Sequence, residues 1–299
     1  MSTPFLVGAY AALPAEKAEQ VDFYTALAET GWINGIEIPY PGIFATDFEW
    51  LTQQLKGRFP HSVITAIPGT MGRMGVNKSF GLASPENDSR LEGLQFVNDI
   101  LTTIDQMHQY AGERIVTGVE IHSAPGVEAD KEAFKRSLDT LSNSFDAAGL
   151  DLIIEHCDAY NPAVPGEKRF LTVTDEIWAA RDTLARLTLN WGRSVVETHD
   201  AKVPAKHLQE ILDADLLAGV MFSGAGAEAT QYGPVWADAH LPLVTDEPTS
   251  WMTPELVREC MDMARGHETY KGIKIQTPKT ASIEERLQFL TNIKEAMGY

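Results

Sequence analysis

The stretch Leu187–Glu197, LTLNWGRSVVE, begins as an alternating apolar strand and then sets Asn190 and Arg193 three residues apart. A neutral amide and a fixed guanidinium at the end of a buried strand are costly unless they hold something. Other short apolar runs end the same way. GIEIPY carries Glu37, RIVTGVEIHS carries Glu120 and His122, DLIIEHCD carries Glu155, and GIKIQTP carries Lys274 and Gln276. Side chains alternate along a strand, so Glu120 and His122 share a face. There a carboxylate and an imidazole can couple their titrations and poise one near neutrality. Lys274 and Arg193 are cations able to polarise a carbonyl, stabilise an enolate or hold an anion. Together these types suit proton transfer next to a carbonyl, with Glu155 or the Glu120/His122 pair as base and acid. Each residue alone also has a plain reading as a buried ion pair. Arg193 has a second plain reading, turning outward to Glu197 or Asp200.

The elements that must position these groups alternate. Apolar runs at 5–10, 35–40, 62–68, 114–123, 151–158, 186–191, 217–224 and 272–278 are separated by segments of helical spacing. One helix face carries Val21, Tyr24, Leu27 and Ala28 and stops at Gly31. Another carries Leu91, Leu94, Val97, Leu101, Ile104 and Met107. Thr253-Pro254-Glu255 reads as an N-cap followed by a first-turn Pro, and Ser282 to Glu285 as a capping box. Eight strands in strict alternation with helices predict one (β/α)8 barrel over residues 1–299, with strand C-termini surrounding the site. An open doubly wound sheet is the runner-up, but no GxGxxG follows a strand. Two connections are long, 69–87 and 224–251. Both follow strands, so both are expected as lids or pocket walls at that mouth.

The second connection adds candidates. Ser223 and Gly224 open a Gly-rich run after the seventh strand, where backbone N–H groups can cradle an anion. His240 and Asp238 follow, then Asp246 and Glu247. Trp191, Trp236 and Trp251 are candidates to stack on a sugar ring, with packing as the default for each. His156 alternates with Glu155 and reads as a rim group or as a group standing behind the site residues. His61, His199, His207 and His267 read as solvated or packing residues.

The chain carries 42 acidic and 24 basic residues, a formal charge of −18. That field disfavours DNA, RNA and anionic membranes as partners. Two cysteines without a CxxC suit a reducing compartment. The apolar start lacks a basic n-region and is too short to span a bilayer, so the expectation is a soluble cytoplasmic protein. A homo-oligomer is left open.

The order of elements, with LIIEH on the fifth strand and LNWGR on the sixth, resembles the xylose isomerase-like barrel superfamily of sugar isomerases, sugar 3-epimerases and type IV endonucleases. Within it the chain looks most like an actinobacterial branch with degenerate metal ligands. The resemblance implies a divalent metal held by a strand-five Glu, a strand-six Asp-x-x-His, a strand-seven His and a strand-eight Glu. Glu155 matches the first. Asn190 and Arg193 stand at the second, GVMFSG has no His, and Gln276 falls at or near the fourth. Arg cannot ligate a metal and amide oxygens are poor ligands, so no superfamily metal is expected. A relocated metal using Glu155, His240, Asp246 or Glu247 stays open. The function expected is a sugar isomerase, epimerase or lyase. Glu155, Glu120, His122 and Lys274 would be catalytic. Glu37, Asn190, Trp191, Arg193, Ser223, Gly224, His240 and Gln276 would bind a sugar or sugar acid. The alternatives are a non-catalytic sugar-acid-binding barrel and a metal-dependent hydrolase with rearranged ligands.

Overall fold

The computed structural model describes residues 3–299. Eight parallel strands close on themselves in sequence order: β1 Phe5–Val7, β2 Gly35–Pro39, β3 Ser62–Thr65, β4 Val116–Ile121, β5 Asp151–Glu155, β6 Arg186–Asn190, β7 Leu217–Phe222 and β8 Tyr270–Ile273. Closure is made by β1 pairing with both β2 and β8. Helices lie between successive strands, as crossovers between parallel strands require.

The strand alternation separates two apolar sets. Ile36, Ile38, Ile64, Val119, Leu152, Ile154, Leu187 and Leu189 belong to the large cluster shared with the helices. Leu6, Val63, Ile153, Ala218 and Tyr270 form a separate cluster. Val63 has the parity of Thr65, Ile153 that of Glu155 and Tyr270 that of Lys274, so this second set plugs the barrel interior below the site.

Several local expectations change. β1 ends at Val7, where a 3-10 turn, Ala9–Ala11, takes over. β8 begins at Tyr270 and ends at Ile273, so Lys274 and Gln276 stand just past the strand. The first long connection is half helix, Ile67–Val76, started by Pro68 in its first turn despite three glycines. Leu91 is 48% exposed, whereas Leu94, Val97, Ile104 and Met107 are buried. The cause is Gly93. Its helix turn lies against the Gly81 backbone so closely that a Cβ there would sit 2.9 Å from the Gly81 carbonyl carbon, which turns Leu91 to the far side. The capping box at Ser282 and the Thr253 N-cap are both present. The connection 224–251 contains no helix or strand; an isolated bridge from Gly224 to Leu241 folds it back over the barrel mouth.

Candidate active site

Glu155 is the hub. Its Oε1 accepts hydrogen bonds from Lys274 Nζ at 2.9 Å and Asn190 Nδ2 at 3.0 Å. Its Oε2 accepts from His122 Nε2 at 3.0 Å and Thr65 Oγ1 at 3.3 Å, with Arg193 Nη1 at 3.2 Å. Burial alone would push the Glu155 carboxyl up. Arg193, Lys274 and the His122 hydrogen bond outweigh it and hold the group well below the usual carboxylate range. Lys274 also donates to Glu37 Oε1 at 2.5 Å. Burial would lower the ammonium, but Glu155 and Glu37 keep it well above its ordinary value.

Glu120 and His122 share a face but do not pair. Tyr270 donates to Glu120 Oε1 at 2.6 Å, and the Tyr270 hydroxyl also meets Thr188. Burial, then the nearby Glu155 and Glu37, push the Glu120 carboxyl well above its ordinary value. Burial drives His122 down to about 4, only partly countered by Glu155. Because ionised Glu155 can only accept, His122 must donate from Nε2, which leaves Nδ1 as the lone-pair nitrogen. His122 also lines a cavity of about 10 Å³ with Thr70, Phe80 and Phe96. Among the described residues, His122 Nδ1, Glu37 Oε2 and Glu120 Oε2 are buried without a hydrogen-bond partner.

Arg193 points inward, not toward Glu197 or Asp200. The reason lies in the strand-to-helix turn. Asn190 caps the helix Trp191–Thr198, its Oδ1 accepting from the Arg193 N–H, and Gly192 lies where a Cβ would meet the Ser223 carbonyl oxygen at 2.3 Å. The guanidinium, 1% exposed, then reaches Asp238 Oδ2 from Nε at 3.0 Å and the Cys157 sulfur from Nη1. Asp238 is held from three sides, by Arg193, by Lys168 Nζ at 3.3 Å and by His240 Nδ1 at 3.2 Å. Burial would raise its carboxyl, yet Arg193, His240 and Lys168 keep it well below the usual range.

Other expectations are corrected here. Trp191 is fully buried in the core cluster and cannot stack on a ligand. The half-buried Trp236 stacks on His199 at 3.7 Å between ring centroids and meets Trp251 edge-on. The Gly224 N–H is spent on the Leu241 carbonyl, so the run after β7 is a close-packed turn and that amide is not part of an anion cradle. Ser223 Oγ pairs with His240 Nδ1 at 2.8 Å. Gln276 donates to the carbonyls of Tyr232 and Ala239, which ties it to the lid. Glu155, His240, Asp246 and Glu247 do not converge: Asp246 accepts from Asn292 on the last helix and Glu247 from Thr249. Among the described residues, the groups of three potential ligands are Glu37, Glu120 and Glu155, and His156, Glu197 and His207. Of the two readings of His156 the rim one fails, because the residue is fully buried and bonded to Glu176 and Glu197 behind the site.

Sequence reasoning missed Gly8, Thr65, Tyr270 and Lys168. A Cβ at Gly8 would lie 2.7 Å from Glu37 Oε2 and 2.8 Å from Lys274 Cγ, so glycine there makes room for that ion pair. A glycine of inward parity at the end of β1 was the available signal.

A closed eight-stranded parallel barrel with polar groups at its C-terminal mouth is a (β/α)8 TIM barrel, and its fold matches solved structures that include xylose isomerase-like barrels. An L-ribulose 3-epimerase superposes with a TM-score of 0.59 at 12% identity, over 99% of this chain and 96% of that one. A family 2 AP endonuclease from Brucella melitensis gives 0.60 at 11%, over 96% and 98%. A fusion of a xylose isomerase-like TIM barrel with 4-hydroxyphenylpyruvate dioxygenase gives 0.62 at 11%, over 99% of this chain and 43% of that one. The chain belongs to the family described as a domain of unknown function, DUF4862, which matches residues 6–289. A Salmonella typhimurium (strain LT2) protein described as uncharacterized is 30% identical over 97% of this chain and 95% of its own length. That relative lends no support to the narrower actinobacterial placement.

Proposed function

We propose that the chain is a carbohydrate-active enzyme of the sugar isomerase or epimerase type, moving a proton next to a carbonyl. The observation that carries this reading is the set of unpartnered buried atoms, His122 Nδ1, Glu37 Oε2 and Glu120 Oε2, on three residues that surround Glu155 and its two buried cations. In it, neutral His122 is the base and Glu155 orients it through Nε2–H. Glu155 itself, ionised and holding five donors, is a weak base. Protonated Glu120 is a proton source, and Lys274 and Arg193 stabilise the enolate.

The donor set does not fit the superfamily's divalent metal. Glu155 has both oxygens committed, and a dication at its position would stand against Lys274 and Arg193. The reading therefore assigns the metal's electrostatic part to these cations. It also favours an anionic sugar. Lid residue Asp238 already presents a carboxylate to Arg193 and Lys168, and a uronate or phosphate would take that carboxylate's place.

The test is solvent exchange. Incubated in D2O with a panel of ketoses, aldoses and uronates after chelator treatment, the protein should place deuterium on the carbon beside the carbonyl. His122→Gln should slow exchange by about 10² to 10⁴, the usual loss for a general base. The acid limb of kcat/KM should lie near pH 4, where His122 takes a proton. Binding without exchange would leave the sugar-acid-binding alternative standing, and loss of exchange with chelator would refute the metal-free mechanism.

A further inference from the structure

Behind the mouth, on the outer side of β5 and β6, lies a second cluster that the proposed reaction does not use. Glu155 points into the barrel, so the next residue, His156, points out toward the helices. Its Nδ1 is held by Glu176 at 2.7 Å and its Nε2 faces Glu197 Oε2 at 3.1 Å. From the following helix, Val203–Asp213, His207 brings its Nε2 to 3.7 Å from Glu197 Oε1, while its Nδ1 contacts Ser194 Oγ at 3.1 Å. Both imidazoles are thus arranged alike. One nitrogen is fixed by an oxygen partner, and the other is turned to the same carboxylate.

That is the arrangement of a transition-metal site, where outer oxygen partners orient each histidine and leave the inner nitrogen for the ion. Tetrahedral zinc with bonds of about 2.0–2.1 Å sets its ligand atoms about 3.3 Å apart. His156 Nε2 lies 3.1 Å from Glu197 Oε2 and His207 Nε2 3.7 Å from Glu197 Oε1, and one ligand atom from each of the three residues lies within 4.8 Å of the other two. The Glu197 and His207 side chains are 11% and 10% exposed, which gives an ion a route in.

We propose that His156 Nε2, His207 Nε2 and the Glu197 carboxylate bind one zinc ion, with a fourth position open toward solvent. Two nitrogens and one carboxylate oxygen suit zinc better than calcium or magnesium. On binding, the His156 Nε2–H bond breaks, its proton leaves to solvent, and the nitrogen–zinc bond forms. Two carboxylates, Glu176 and Glu197, then face a dication where they now face one imidazole. The ion would clamp the end of β5 to the helix that carries Arg193, since Glu197 lies one turn beyond it.

Full-length protein, stripped with chelator, is loaded with zinc, desalted and assayed by elemental analysis. One zinc per chain is expected. It should remain in Glu155→Gln and Glu120→Gln and be lost in His207→Ala and Glu197→Gln, with circular dichroism reporting their fold. Cobalt in place of zinc should give the visible bands of four-coordinate nitrogen and oxygen ligation in wild type, a readout that stands even if a variant fails to fold. Zinc should also raise Tm of wild type and not of His207→Ala. No retained zinc, or zinc lost from Glu155→Gln and kept by His207→Ala, overturns the site.

Discussion

At the scale of single residues, Glu155 carries the most constraint. Its place at the end of an alternating strand was legible, because period-two alternation makes the final inward position of each barrel strand readable. Its partners were not. Arg193 inward and Arg193 outward both read from LNWGR, because Asp238, the carboxylate that receives the inward guanidinium, stands 45 residues away. The same holds for His156, whose partners Glu176 and Glu197 stand 20 and 41 residues off on helices, where no local pattern marks them. Glu155→Gln keeps the shape but leaves Lys274 and Arg193 buried with one fewer counter-charge. Breaking a buried ion pair typically costs about 3–5 kcal/mol. We expect a fall in Tm on the order of 10 °C, read by thermal melts. The double variant Glu155→Gln/Lys274→Met should not recover it, because it leaves Glu37 buried without the ammonium that Lys274 gives it. A single variant as stable as wild type would mean that the hub holds no net stabilisation.

At the scale of elements, the two long connections separate. Both were legible as interruptions of the barrel pattern, but only 224–251 forms the irregular cover. The stretch IPGTMGRMGV becomes helix although its glycines argue against one, because Ile67, Gly69 and Thr70 bury against the barrel. The cover 224–251 is held by few anchors: the Gly224–Leu241 bridge, Gln276 under the Tyr232 and Ala239 carbonyls, and Asp238 on Arg193 and Lys168. Asp238→Asn keeps the shape and removes the charge. It should speed amide hydrogen exchange across 224–251 while leaving strand amides unchanged. The same variant should bind uronates or phosphates more tightly, by about tenfold or more, because the tethered competitor for Arg193 is gone. Faster exchange without tighter anion binding would confine Asp238 to holding the lid.

At the scale of the whole molecule, two electrostatic effects act on stability and salt separates them. The formal charge of −18 at pH 7 is a surface property that opposes compaction, and about 0.5 M salt screens it. Glu120 is different, being fully buried beneath the cations. Its folded-state carboxyl lies well above the ordinary 4.5. Below that ordinary value both states hold the proton, and its contribution to stability is fully present. As pH rises, the unfolded chain releases the proton while the native chain keeps it, so stability is lost up through the folded-state value. Glutamine is the neutral counterpart of the protonated acid, and its carbonyl can accept the Tyr270 hydroxyl as Glu120 Oε1 does. Glu120→Gln should therefore match wild type in Tm near pH 4 and exceed it by a margin that widens from pH 5 to pH 8. Salt should raise both proteins alike and leave the margin between them intact, because it does not reach the buried group. A margin that closes in 0.5 M salt would place the Glu120 effect with the surface field, and a variant less stable than wild type at pH 8 would mean that Glu120 is ionised in the folded protein.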